Sequence, residues 1–242
     1  MKRTIIFHSC LLLVLGATQC RKQEAPYSGN NYIAINPGTD SAKRFTFLAL
    51  GDSYTIGQSV TAAERFPAQT TNLLRAGGIK MDDPTYIATT GWTTDNLDAA
   101  MTEQHVSGPY SVVSLLIGVN DQYQRHDTTG YRLKFRNLLL RSISLAANDR
   151  NHVFVLSIPD YSVTPFAAYS DTAFIRKQID WFNAINKEET ILAYCHYLDI
   201  TPSTREALSD PTLIATDGLH PSGKEYALWA NMLAPMMRDV LR

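Results

Sequence analysis

Four short stretches of this chain carry side chains whose types and spacing suit nucleophilic chemistry. In Phe47-Leu-Ala-Leu-Gly51-Asp52-Ser53 an apolar run ends directly in a glycine, an acid and a serine. Such a run reads as a buried strand, and in α/β sheets ligands bind in the crevice beyond the C-terminal strand ends. A serine hydroxyl delivered there is a candidate nucleophile, inert until a neighbouring base takes its proton. Asp217-Gly-Leu-His220-Pro-Ser supplies that base. Three-residue spacing on a tight turn can put the Asp217 carboxylate beside the His220 imidazole, where it would fix the tautomer and stabilise the imidazolium. The remaining two stretches offer donors for a developing oxyanion. They are the glycine of Thr89-Thr-Gly91-Trp92 and the asparagine of Leu115-Leu-Ile-Gly-Val-Asn120-Asp121. A glycine lets its backbone N–H approach a substrate closely, and Asn120 brings an NH₂ group. The N–H of Ser53 is the third donor.

Singly, each of these residues has a plainer reading. Gly-Asp-Ser is an ordinary turn sequence, Gly91 suits a positive-φ turn, and Asn120-Asp121 suits a helix N-cap. Asp217 and His220 could be a turn acid and a surface imidazole. The joint pattern favours the chemical reading. Asp52 and Asp121 are read as supporting residues that accept backbone N–H bonds. Tyr54, Trp92, Tyr123, Asp160 and Tyr161 flank the expected strand ends and are candidates to line a substrate pocket.

The elements that must position these groups follow from the hydrophobic pattern. From residue 45 onward short apolar runs alternate with longer amphipathic ones, the pattern of βαβ units and a mainly parallel sheet. Five strands are expected near residues 45–50, 85–89, 111–117, 152–158 and 197–200. Helices are expected near 62–76, 94–102, 131–148, 170–189 and 222–241. Ser53, Gly91 and Asn120 then fall just beyond the first three strands, converging on one sheet edge.

These residues together resemble the SGNH, or GDSL, hydrolases, whose four blocks contribute Ser, Gly, Asn and His in that order. Gly51-Asp-Ser-Tyr-Thr-Ile-Gly57 resembles the nucleophile block and Gly91 the oxyanion glycine. Gly118-Val-Asn-Asp121 resembles the asparagine block, and Asp217-Gly-Leu-His220-Pro the catalytic dyad block. The resemblance implies a three-layer α/β/α sandwich of flavodoxin-like type. It also implies ester hydrolysis through an acyl-serine, with no cofactor. Tyr54 stands where many members carry Leu, and Trp92 follows the glycine where smaller residues are common, which leaves the substrate open. Carbohydrate O-acetyl esterase, lysophospholipase and thioesterase activities all fall within the family, and a non-catalytic acyl-ligand binding protein is the alternative from another class.

Composition bounds the rest. The 242 residues are 45% hydrophobic and 19% charged with a formal charge of −1, which suits one globular domain at 44–242 and gives no basic patch for nucleic acid. Lys2 and Arg3 precede an apolar segment, 4–17, that ends in Thr-Gln-Cys20. This reads as an export signal over 1–19 with Cys20 a candidate lipidation site, followed by a polar linker over 20–43. An exported protein is therefore expected, anchored in the periplasm or outer membrane through lipid, or secreted. Of Cys10, Cys20 and Cys195, only the last lies in the mature body, which excludes a disulfide framework there. Cys195 reads as an inert small core residue. His105, His126, His152 and His196 lack companion motifs, and no metal-ligand spacing occurs. The expected partner is a small-molecule, lipid or glycan ester.

Overall fold

A computed structural model of the chain describes residues 44–126 and 128–242. The expected export signal, Cys20 and the linker lie outside them. The elements run β1 (Phe47–Gly51), α1 (Ser53–Ile56), α2 (Phe66–Ala76), β2 (Thr85–Ala88), α3 (Thr94–Glu103), β3 (Val112–Leu116) and α4 (Val119–Arg125). They continue with α5 (Tyr131–Leu145), β4 (Val153–Leu156), α6 (Thr172–Leu192), β5 (His196–Leu198), α7 (Thr201–Arg205) and α8 (Gly223–Val240). All strand pairs are parallel, in the order β2-β1-β3-β4-β5.

The sheet is the centre of a three-layer α/β/α sandwich. β1, β3 and β4 are buried along their whole length because both faces are covered, which is why they read as mainly apolar runs, with the buried Ser114 the polar exception in β3. The outer strands β2 and β5 are only partly buried and shorter. Helix α2 packs on α8, where Phe66, Tyr226 and Trp229 meet in tilted and edge-to-face contacts, and α5 packs between α3 and α6. Glu189 of α6, buried, takes guanidinium bonds from Arg132 (2.7 Å) and Arg136 (2.6 and 2.9 Å), clamping α5 to α6.

Each expected strand and helix is present, with shifted ends. The helix expected from residue 62 begins at Phe66, with Pro67 in its first turn, and residues 62–64 form a separate 3₁₀ turn. The helix expected to reach 148 stops at Leu145, because Ala147 and Asn148 turn left-handed (φ 57° and 62°) and the Asn148 N–H returns to the Ile143 carbonyl. Three helices have no counterpart in the pattern: α1, α4 and α7 span only 4, 7 and 5 residues, too short for a helical period to register.

Two glycines set the loop geometry. A Cβ on Gly51 would sit 2.1 Å from Thr55 Oγ1 and 2.4 Å from the Leu116 carbonyl, so β1 passes β3 and enters α1 only because no side chain is there. Gly118, at φ 125°, would set a Cβ 2.1 Å from the Tyr131 hydroxyl. This glycine is the N-cap of α4 and directs the next residues toward the end of β1.

Candidate active site

Residues beyond the C-terminal ends of β1 and β3 meet where the strand order reverses, the position at which open α/β sheets bind ligands. Asp52 is the N-cap of α1: its Oδ1 accepts the Tyr54 N–H at 3.0 Å, which closes the turn that presents Ser53 as the first helical residue. Its Oδ2 accepts from Asn120 Nδ2 at 3.3 Å, and the same amide nitrogen donates to the Trp92 carbonyl at 3.1 Å. One asparagine thus ties together the loops after β1, β2 and β3. Asn120 lies within α4, one residue past its start, so it does not cap that helix.

Asp121 bonds across to α3 rather than to its own turn. It accepts from the Thr94 N–H (2.9 Å) and hydroxyl (2.7 Å), supporting the first turn of α3 from outside. Both carboxylates are buried. Loss of hydration pushes Asp52 up to about 7, against the bond from Tyr54 N–H and with a further push from the Asp121 charge. Burial likewise raises Asp121, against the Thr94 bonds.

The other half of the site sits on the turn 215–220, closed by the Ala215 N–H to the His220 carbonyl (2.7 Å) and the Gly218 N–H to the Ala215 carbonyl (3.0 Å). Asp217 Oδ1 accepts the backbone N–H groups of Leu219 and His220, both at 3.0 Å. Its Oδ2 accepts the hydrogen bond from His220 Nδ1–H at 2.6 Å. Burial works against this carboxylate, yet the bonds from the Ser59 hydroxyl, from His220 and from the two backbone groups hold it well below the ordinary range. With an ionised Asp217 on Nδ1, the ring nitrogen left for proton transfer is Nε2. Tyr54 packs its ring against the imidazole, centroids 5.0 Å apart, and His220 is only 6% exposed.

Ser53, Asn120 and His220 line one cavity of about 90 Å³, together with Tyr54, Val119, Tyr123, Tyr161, Phe166 and Leu219. Tyr123, Tyr161 and Phe166 form a mutual aromatic cluster with centroids 5.9 to 6.3 Å apart, and Tyr123 and Phe166 are half exposed at its edge. Of the pocket candidates selected from sequence, Tyr54, Tyr123 and Tyr161 line this cavity. Trp92 does not, and Asp160 lines an adjoining cavity that shares Tyr54, Tyr161 and His220 with it. Trp92 packs partly buried against the core, and Asp160 caps the 3₁₀ turn 161–163 and pairs with Arg205 at 2.8 Å. Gly91 sits at the turn beyond β2, its carbonyl held by Gln124 Nε2 at 3.1 Å. Phe166, Val119 and Leu219 are not among the sequence candidates; Phe166 lies in the 3₁₀ turn 165–167, several residues past the strand-like run that ends at Ile158.

Cys195 is half-buried just before β5, and burial pushes its thiol up to about 11. The His196 ring stacks on Phe154, and His152 Nδ1 bonds to the Ser111 carbonyl. Among the described residues no three of His, Cys, Asp and Glu are grouped to hold a metal ion, and no helix is long and apolar enough to cross a membrane.

Residues 49–228 match the GDSL-like lipase/acylhydrolase family. Among solved structures, Axe2, an acetylxylan esterase from Geobacillus stearothermophilus, is similar at 20% identity, over 80% of this chain and 94% of that one, with a TM-score of 0.62. A lipase/acylhydrolase from Enterococcus faecalis is similar at 17% identity over 81% and 96% of the two chains (TM-score 0.59). A member of the lipolytic G-D-S-L family from Veillonella parvula is similar at 18% identity over 79% and 97% (TM-score 0.54). No curated protein sequence matches the chain significantly.

Proposed function

Since the chain belongs to the GDSL-like lipase/acylhydrolase family and is a carboxylic ester hydrolase, we propose that Ser53 is its nucleophile, His220 its general base and Asp217 the acid that orients the imidazole. The observation that carries this reading is the 2.6 Å bond from His220 Nδ1 to Asp217 in the wall of a cavity that also holds Ser53 and Asn120. His220 Nε2 takes the Ser53 proton as Oγ attacks the ester carbonyl carbon. The tetrahedral oxyanion is stabilised by the N–H groups of Ser53 and Gly91 and by Asn120. The C–O bond to the alcohol then breaks, the departing oxygen takes the proton from the imidazolium, and the acyl group stays on Ser53. Water, deprotonated by His220, attacks the acyl carbon, and the carboxylic acid leaves as Oγ regains its proton.

Asn120 fits this role with one adjustment. Both of its amide protons are engaged in the resting site, and the bond to Asp52 is the longer at 3.3 Å. A bond of that length is the weaker of the two. It is the one released to an oxyanion, a more basic and therefore stronger acceptor than the Asp52 carboxyl.

The acyl group is short, acetyl first. The cavity of about 90 Å³ is well below the roughly 300–1,000 Å³ of pockets that enclose drug-sized ligands, which favours a short acyl group. The half-exposed rings of Tyr123 and Phe166 offer flat apolar faces to the alcohol part, which suits a sugar ring. The test is hydrolysis of p-nitrophenyl esters of graded chain length by the purified protein and its Ser53→Ala variant. Acetate is hydrolysed fastest, turnover falls steeply by butyrate, and the variant is inactive though folded. Turnover that survives Ser53→Ala would overturn the nucleophile, and turnover rising with chain length would move the substrate to lipid esters.

A further inference from the structure

Asp217 Oδ2 has a second partner outside the Ser-Asp-His set. The Ser59 hydroxyl donates to it at 2.6 Å, as short as the bond from His220 Nδ1 to the same atom. With Leu219 and His220 N–H on Oδ1, the carboxylate accepts four bonds, its full complement. Ser59 belongs to the other half of the site. It lies six residues beyond Ser53, on the loop that leaves α1 after Gly57, whose N–H and that of Gln58 both return to the Ser53 carbonyl. The Ser59 backbone is left-handed, φ 67°, a conformation that costs a side-chain-bearing residue energy and concentrates at functional sites. The adjoining Gln58 side chain accepts from Thr90, next to Gly91. The loop 57–60 therefore touches the serine helix, the oxyanion turn and the base turn at once.

We infer that Ser59 is a positioning residue of the reaction: its hydroxyl fixes the plane of the Asp217 carboxylate against His220 and ties the base turn to the loop that carries the nucleophile. The backbone bonds hold Oδ1, and without Ser59 the imidazole is the one remaining partner of Oδ2, so the Ser59 bond gives that oxygen an anchor independent of the base it orients. Because Ser59 is exposed and Asp217 is 28% exposed in its side chain, water refills the lost bond in a variant without restoring the geometry. The effect is thus on turnover rather than on folding.

The inference rests on the Ser53, His220 and Asp217 reading above, and two substitutions test it. Ser59→Ala removes the hydroxyl and keeps the backbone cost; Ser59→Gly removes the hydroxyl and relieves that cost. Both are expected to lose about tenfold in kcat, the scale of one hydrogen bond to a charged group discounted for exposure, with KM within about twofold. The Ser59→Gly protein melts at or above the temperature of Ser59→Ala. In an Asp217→Asn background the Ser59 substitutions have no further effect on kcat, because the geometry they guard is already lost. Wild-type kcat in either variant, or a loss in Ser59→Ala that Ser59→Gly restores, would overturn the inference. So would full additivity with Asp217→Asn. Ser59→Gly carries the test if Ser59→Ala fails to fold. Running Ser53→Ala in parallel separates the two failures, since hydrolysis that survives it refutes the nucleophile and leaves the Ser59 result without a reaction to act on.

Discussion

Asp52 is a costly residue for the site to keep, and its cost can be measured. The carboxyl is completely buried and titrates near 7 in the folded chain against an ordinary 3.8. Between those values the folded protein holds a proton that the unfolded chain has released, so stability falls as pH rises. The loss begins near pH 4, ends near pH 7 and totals about 4 kcal/mol, since each pH unit between the folded and unfolded values is worth about 1.36 kcal/mol. That is a large share of the roughly 5–15 kcal/mol that holds a domain folded. Asp52→Asn removes the charge and keeps an oxygen for the Tyr54 N–H. It also turns an NH₂ toward Asn120, which costs roughly 1 kcal/mol at every pH. Urea unfolding of both proteins from about pH 4.5 to 7.5 should therefore show the variant gaining on the wild type by about 3 kcal/mol across the series. A raised acid away from this pair, such as Glu225, titrates in both proteins and largely cancels in the difference. Parallel curves, with a difference independent of pH, would show that Asp52 carries no such charge cost. Activity should move the other way, since the more stable variant has lost the acceptor that holds Asn120.

Asn120→Ala should lower kcat by about 10²–10³ with little change in melting temperature, the loss seen when one oxyanion donor is removed. A variant that unfolds early while keeping its turnover per folded molecule would instead make Asn120 a loop tie between Asp52 and Trp92. Far from the site, Glu189→Gln should cost roughly 2 kcal/mol by weakening three charged bonds to Arg132 and Arg136, lowering the melting temperature by about 4–8 °C with kcat unchanged.

What the sequence disclosed and what it hid divide along a physical line. Ser53, Gly91 and Asn120 could be placed just beyond strand ends because each follows a strand that reads locally, as a mainly apolar run or a β-branched stretch ended by glycine. Asp217 and His220 could be paired because the turn that joins them is only three residues wide. Phe166 and Ser59 follow no such rule. Phe166 reaches the cavity through contacts with Tyr123 and Tyr161, which sit 43 and 5 residues away in the chain. Ser59 meets Asp217 across 158 residues. The same limit explains α1, α4 and α7: helices of one or two turns are held by tertiary bonds, such as those of Asp52, rather than by a period of their own. It also explains Asp121, whose partner Thr94 lies on a different helix and not in the turn beside it.

The strand order gives these distant contacts their use. The chain lays β2 on one side of β1, then returns to lay β3 on the other, so the loops after β1 and β3 diverge and leave a crevice between them. A crevice made this way has walls on separate loops, and nothing in the sheet fixes their spacing to the fraction of an ångström that catalysis needs. Side-chain bonds across the gap do. Asn120 spans it to Asp52, Asp121 braces α4 against α3, and Ser59 reaches the turn of His220. Two of these three ties use buried carboxylates whose burial opposes their charge, which is why they raise the cost of folding while they set the geometry. If the ties only held the fold, replacing Asp52 with asparagine would stabilise the protein near neutral pH and leave its turnover unchanged. The expectation that it stabilises the chain and slows the reaction is what distinguishes a positioning network from ordinary packing.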